Sequence, residues 1–225
     1  METFLYKNEM SRVSVLIPAY NEEPTISFVI EACKKSNQVT EVIVIDDGST
    51  DNTSKFASDA GALVLEYGTN QGKAFALLYG AQQAKEDTLL LLDADLVGLS
   101  VEHVENLINP VLDGIADSTL GLFTGGRLKT DLAHAITPHL SGQRCLKKDF
   151  LLQLEEFKNA RYGIEVAITR YLSKQNKKVV KVYLENVTHV MKEEKTGRES
   201  GFQNRLQMYK DIVKHIFKYK KIKKL

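Results

Sequence analysis

Leu89-Leu90-Leu91-Leu92-Asp93-Ala94-Asp95 sets four leucines directly ahead of two aspartates one residue apart. A short, uninterrupted apolar run reads as a strand buried on both faces, the kind found in parallel sheets. The two acids then fall at its carboxyl end. The pattern recurs upstream. Val13-Ser14-Val15-Leu16-Ile17 is stopped by Pro18 and followed by Ala19-Tyr20-Asn21-Glu22-Glu23. Residues 41–45 run into Asp46-Asp47-Gly48-Ser49-Thr50-Asp51. Between these runs the apolar spacing turns helical: Ile26, Val29, Ile30 and Cys33, then Phe56, then Phe75, Leu78 and Tyr79 inward on a helix over 73–84. Asn21 is placed to cap the first helix, with Glu22 and Glu23 near its positive end and Pro24 in its first turn. Asp51 or Asn52 caps the second. Residues 62–67 read as a strand and 68–72 as a loop. Strands alternating with helices, a polar cluster after each strand, predict an α/β fold: a mostly parallel sheet flanked by helices. Ligands of such sheets bind beyond the strands' carboxyl ends. Residues 18–22, 46–51 and 93–95 would therefore share one edge.

The second half is less regular. Residues 101–108 read as a helix, 119–126 as a strand ending in a Gly pair, 147–157 and 165–175 as two helices, and 178–184 as a strand. From about Gly201, Phe202, Leu206, Tyr209, Ile212, Val213, Ile216 and Phe217 trace an amphipathic helix. It ends in Lys218-Tyr219-Lys220-Lys221-Ile222-Lys223-Lys224. The predicted organisation is one domain over 1–200 and a C-terminal amphipathic basic helix over 201–225.

Composition narrows the function classes. The 225 residues fit one domain, and 30 basic against 29 acidic residues give a net charge of +1. That balance argues against wholesale nucleic-acid binding. Two cysteines, Cys33 and Cys145, make no disulfide framework, so a reduced, cytoplasmic protein is expected. No apolar run approaches the about 20 residues of a membrane span. The first ten residues are too polar for a secretory signal, so the sequons at Asn52 and Asn186 carry no weight.

Asp93 and Asp95 can face one cation, an arrangement suited to magnesium or manganese on substrate phosphates. A turn or helix cap uses the same residues, but the leucine run ahead of them fixes them to the sheet's functional edge. Asp46 to Asp51 makes a turn and a cap, yet two acids directly after a buried strand also offer acceptors to a base or a ribose hydroxyl. In Asn70-Gln71-Gly72-Lys73 a lysine enters a helix against the dipole; either it is simply solvated or a nearby anion relieves it.

Together these stretches resemble the family 2 glycosyltransferases with the GT-A fold. The resemblance runs through V-S-V-L-I-P-A-Y-N at 13–21, V-I-V-I-D-D-G-S-T-D at 42–51, N-Q-G-K at 70–73 and L-L-L-L-D-A-D at 89–95, in matching order and spacing. It implies that Pro18, Ala19, Tyr20 and Glu22 lie in the loop around the nucleobase and that Asp47 reads the base or ribose. It places Lys73 close to the nucleotide, and Asp93, Ala94 and Asp95 in the DXD metal motif. The second half is similar to the branch holding the glucosyl-3-phosphoglycerate synthases and the dolichyl-phosphate sugar synthases. Leu140-Ser141-Gly142-Gln143-Arg144 resembles its acceptor-side loop, with Gly142 and Gln143 near substrate. Arg161 to Val166 resembles its G-x-E segment, and Thr188 to Lys192 the late histidine that completes the metal site.

Several of these residues carry two readings. His189 is either an ordinary histidine or, beside Asp93 and Asp95, a manganese ligand. Glu165 either complements a helix dipole or serves as the base for an acceptor hydroxyl in an inverting displacement. Arg144 is a solvated cation or a fork on a phosphate. The six lysines among the last 12 residues are a solvated helix end or a contact for an anionic membrane.

The resulting expectation is a metal-dependent hexosyltransferase acting from a UDP-sugar onto a hydroxyl acceptor, with Asp95, Glu165 and Arg144 catalytic. A divalent manganese or magnesium ion would sit on Asp95 and His189 with Asp93 alongside. The expected partners are the nucleotide sugar, an acceptor of small soluble or cell-envelope type, and no nucleic acid. A peripheral contact with the inner membrane face and a homodimer both stay open. The rival classes are a sugar-nucleotide-binding protein without turnover and a nucleotidyltransferase. The second is disfavoured because residues 18–22 are not a Gly-rich basic loop.

Overall fold

Val13, Val15 and Ile17 point to one side of the first strand and Leu16 to the other, and all four are fully buried. A strand apolar on both faces needs cover on both, and the topology supplies it. The structure, a computed structural model, describes residues 12–124, 141–158 and 163–190. The elements in chain order are β1 (Val13–Ala19), α1 (Ile26–Lys34), β2 (Val39–Asp46), α2 (Thr53–Asp59), β3 (Leu63–Glu66) and α3 (Lys73–Gln83). Next come β4 (Thr88–Leu91), β5 (Leu96–Val97), α4 (Val101–Leu112), β6 (Ser118–Thr124), β7 (Arg144–Lys147) and α5 (Lys148–Leu152). After a 3₁₀ turn at Glu155–Phe157 follow α6 (Ile164–Lys174), β8 (Val179–Glu185) and β9 (Thr188–His189).

Seven strands form one sheet in the order β3-β2-β1-β4-β7-β6-β8. Strands β1 to β4 pair in parallel, as do β6 and β8, while β7 runs antiparallel to both its neighbours. One face packs Val15, Ile17, Val42 and Val44 against α1 and α4. The other packs Leu16, Ile43 and Ile45 against α3, α5 and α6. The α/β fold with a mostly parallel sheet is as the sequence predicts. Within it, β7 occupies a place that the sequence reading divides between a loop and a helix start.

Three local expectations are corrected. Asn21 does not cap α1, whose N-cap is Thr25. It adopts φ +55, and its Oδ1 accepts from the Thr50 N–H at 2.8 Å, tying the loop after β1 to the loop after β2. Pro24 consequently precedes the cap rather than sitting in the first turn. The helix expected over 147–157 splits into α5 and the 3₁₀ turn, because Leu151, Leu154 and Phe157, all buried, recur every three residues, the 3₁₀ repeat. His103 closes a capping box with Ser100 at the start of α4. The amphipathic segment 201–225, the boundary at 200/201, the Gly pair at 125–126, Leu140, Arg161, Tyr162, Met191 and Lys192 lie outside the described residues. Among the described residues, no helix is long and apolar enough to cross a membrane.

Cys33 and Cys145 are fully buried, and burial pushes each thiol up to about 12. Thiolate is the reactive form and its fraction rises with pH, so at pH 8 these thiols stay protonated. Iodoacetamide labelling of the folded protein should be slower than that of an ordinary cysteine by roughly 10³-fold. Rapid labelling before the unfolding transition would contradict the burial.

Candidate active site

Parallel pairing brings the carboxyl ends of β1, β2 and β4 to one edge, and β7, running the other way, starts there. Asp93 follows β4 at this edge and Gly142-Gln143 precede β7. The buried Gln143 side chain grips Asp93 twice: its Nε2 donates to Asp93 Oδ2 at 2.9 Å, and its Oε1 accepts from the Asp93 N–H at 3.2 Å. Lys73, the first residue of α3, reaches across the edge. Its Nζ lies 2.5 Å from Asp93 Oδ1 and 2.7 Å from Glu165 Oε1, in the first turn of α6.

The anions that Lys73 lacks in the sequence are thus these two carboxylates. Burial alone would pull the ammonium down; Asp93 and Glu165 outweigh it and push Lys73 well above its ordinary value. For Asp93, burial works upward, but the charges of Lys73 and His189 and the hydrogen bonds from Lys73 and Gln143 hold the carboxyl well below the usual range. Space for this contact depends on Gly142. A Cβ there would lie 2.6 Å from Lys73 Nζ and 2.8 Å from Asp93 Oδ1. Gly142→Ala should therefore push the Asp93 carboxylate out of place and weaken manganese-dependent nucleotide affinity by about tenfold, in line with the sensitivity of metal sites to changes around a ligand. Isothermal titration with UDP checks this, and unchanged affinity would show that the crowding is relieved elsewhere.

Asp95 and His189 meet through backbone pairing. β5 and β9 form a two-stranded ladder with Leu96 opposite His189, and the Val190 N–H donates to the Asp95 carbonyl at 3.1 Å. Gly98 permits the approach: at φ +84, a Cβ on it would lie 2.6 Å from the Asn186 carbonyl. His189 Nδ1 is 2.9 Å from Asp95 Oδ1, and its ring sits edge-on to Phe123 with centroids 4.7 Å apart. Burial lowers the imidazole pKa, yet the hydrogen bond and charge of Asp95, with the charge of Asp93, raise it overall. Asp93, Asp95 and His189 each offer a ligand atom within 4.8 Å of one another. Two carboxylates and an imidazole are a donor set that fits manganese or magnesium.

The nucleobase side differs from expectation at Asp47. This carboxylate, 5% exposed, accepts from the Tyr67 hydroxyl at 2.8 Å and from the N–H groups of Gln71 and Gly72 at 2.6 and 2.8 Å. It fastens the loop that leads into α3, so its visible work is to place Lys73 rather than to face a base. Burial, then the hydrogen bond to Asp47, pushes the Tyr67 phenol far up. Asp46 is likewise occupied, by the Ser49 N–H and the Ser54 hydroxyl. Tyr20 stands 47% exposed at the same edge, Pro18 and Glu22 are half-buried, and Ala19 and Ala94 are buried.

Arg144 is also placed differently from expectation. It is 1% exposed; its Nε donates to the Ser141 carbonyl at 3.1 Å and its Nη2 to Thr169 Oγ1 at 2.6 Å. Thr169 in turn donates to the Glu165 carbonyl at 2.9 Å. Burial lowers the guanidinium to about 10, so it remains charged at neutral pH. It braces the start of α6, and hence Glu165, from beneath. Gln143, expected near substrate, acts through Asp93. Thr169 and Tyr67 went unnoticed in the sequence; the one signal was Thr169's place one helical turn after Glu165.

A sequence profile of glycosyl transferase family 2 matches residues 14–170. The chain belongs to glycosyl transferase family 2. Within family 2 it is 36% identical over 106 residues to the undecaprenyl-phosphate 4-deoxy-4-formamido-L-arabinose transferase of Proteus mirabilis, covering 43% of this chain and 32% of that protein. To the same-named protein of Aeromonas hydrophila it is 35% identical over 116 residues, covering 47% and 35%. The chain spans about a third of the length of these relatives. Its fold is similar to glucosyl-3-phosphoglycerate synthase from Mycobacterium tuberculosis, solved with Mn2+, UDP and glucosyl-3-phosphoglycerate. The TM-score is 0.71 at 23% identity, covering 91% of this chain and 78% of that one. The form solved with Mg2+ and UDP gives the same TM-score and identity, covering 91% and 77%. This likeness establishes the GT-A architecture of the family 2 chain.

Proposed function

We propose that the chain transfers a hexose from a UDP-sugar to an acceptor oxygen, with a divalent ion held by Asp95 and His189 and Asp93 alongside. The observation that carries this is the convergence of those three ligand groups at the sheet edge where family 2 nucleotides are expected. Bound there, a divalent ion would neutralise the diphosphate as it leaves. The chain's own residues do the rest. Gln143 fixes the orientation of Asp93, Lys73 adds positive potential beside it, and Arg144 with Thr169 holds the Glu165 backbone in place. The loop after β1, with Tyr20 exposed, and the turn fastened by Asp47 frame the base.

Two acceptor chemistries fit. Glu165 Oε1 is held by Lys73 Nζ at 2.7 Å, so this oxygen is already engaged rather than free to accept a proton from an acceptor. That favours an acceptor whose nucleophile is already an anion, such as the undecaprenyl phosphate named in the relatives. A hydroxyl acceptor, as in the phosphoglycerate of the structural neighbour, is the second reading. For a lipid acceptor, the lysines at 214–224 would be drawn to an anionic leaflet, each contributing about 1 kcal/mol. Cosedimentation with phosphatidylglycerol vesicles at low and physiological salt tests that contact.

The deciding experiment offers a panel of UDP-sugars with manganese or with chelator. Acceptors are a short polyprenyl phosphate in detergent, 3-phosphoglycerate, or none. Manganese-dependent UDP release stimulated by the polyprenyl phosphate is expected. Stimulation by 3-phosphoglycerate alone would assign the hydroxyl reading. No release with any donor, alongside normal UDP binding, would leave a binding protein without turnover.

A further inference from the structure

Asp93 is engaged on both oxygens, by Gln143 on Oδ2 and by Lys73 on Oδ1. These partners are not equivalent. Gln143 is fully buried and also accepts from the Asp93 backbone, so it has nowhere to go. Lys73 sits on a flexible four-carbon stem, its side chain 29% exposed, and a second carboxylate, Glu165, already lies 2.7 Å from its Nζ. A divalent ion using Asp93 must therefore share Oδ1 with the ammonium, sit on the adjacent Oδ2 of the same carboxylate, or displace the ammonium, and in the first two cases like charges lie close where water is partly excluded and repel.

We propose that Lys73 is a built-in counter-cation that competes with the divalent ion for Asp93, and that Glu165 is the site to which it withdraws. This rests on the metal reading of Asp93, Asp95 and His189 given above. Without substrate, Lys73 holds the two carboxylates together and keeps the site's affinity for metal low. A diphosphate supplies new negative charge, which relieves the repulsion between the two cations, so metal and nucleotide bind with positive coupling. By reciprocity, each raises the affinity for the other by the same factor. Lys73 is thus a positioning residue whose work is ordered loading, and Glu165 has a role here that does not require it to abstract a proton.

The test measures binding of Mn2+ alone, by electron paramagnetic resonance of the free ion, to the full-length protein and its variants. Lys73→Met should tighten Mn2+ binding about tenfold or more without nucleotide, since it removes a positive charge next to a ligand. Glu165→Gln should weaken it, because Lys73 loses its alternative partner and stays on Asp93. The enhancement of Mn2+ affinity by UDP should shrink in Lys73→Met. Lys73→Arg, which keeps the charge, should preserve the coupling. Unchanged or weaker Mn2+ binding by a folded Lys73→Met variant would overturn the proposal while leaving the metal site standing. Mn2+ affinity unaltered by Asp95→Ala would instead remove the metal reading itself, and the proposal with it.

Discussion

Asp95→Ala is expected to reduce manganese-dependent UDP-sugar turnover by on the order of 10³-fold, because a metal ion contributes several kilocalories per mole of transition-state charge stabilisation. Asp95 is the acid most committed to that site. Its backbone is locked to β9 through Val190, and its carboxylate meets His189 at 2.9 Å. The side chain is 15% exposed and lies past the strand end, outside both apolar clusters, so the fold should survive its removal. Asp95→Asn, which keeps the size and loses the charge, should be nearly as inactive. Steady-state kinetics with manganese in excess, beside circular dichroism, separates the cases. A folded Asp95→Ala protein with turnover within a few-fold of the parent would show that the ion, if bound, sits elsewhere.

The second large effect is on stability. Asp47→Ala removes the acceptor of three hydrogen bonds at a carboxylate only 5% exposed. Losing the charge-assisted hydrogen bonds of this buried carboxylate costs about 3 kcal/mol. For a chain of this size that corresponds to a fall in Tm of roughly 6–12 °C. Donor affinity should drop with it, since the released turn carries Gly72 and Lys73 into α3. Asp47→Asn should fall between, as the amide still accepts but adds donors where acceptors are needed. Calorimetric melting checks the first claim. Loss of UDP affinity with an unchanged Tm would return Asp47 to the role of direct base reader expected from sequence.

The first half of the fold was legible because its strands are buried on both faces. Val13–Ile17, Val42–Ile45 and Leu89–Leu92 announce themselves as apolar runs, each followed by acids at the strand's carboxyl end. The same logic points to Asp93 and Asp95, whereas His189 is singled out only through the resemblance of Thr188 to Lys192 to the family's late histidine. What escaped is tertiary. Strand β7 is four residues, Arg-Cys-Leu-Lys, too short for any periodicity to show. Strands β5 and β9 are two residues each and exist only because they find one another across the chain. Arg144 reads either as a solvated cation or as a fork on a phosphate, and the resemblance implies that Asp47 reads a base or ribose. Both are buried and satisfied internally, and only the neighbours brought in by the fold, Thr169 for one and the Tyr67–Gly72 loop for the other, reveal it.

The central claim is that Asp93, Asp95 and His189 form a divalent-ion site that holds a uridine diphosphate. Titrating UDP into the full-length protein, once with manganese and once with excess chelator, tests it most directly. Affinity should be on the order of tenfold or more tighter in manganese, and His189→Ala should abolish most of that difference while leaving the weaker, metal-free binding untouched. Equal affinity in manganese and chelator, or a His189→Ala loss of the same size in both, would contradict the metal site and reduce His189 to the partner of Asp95 in packing alone.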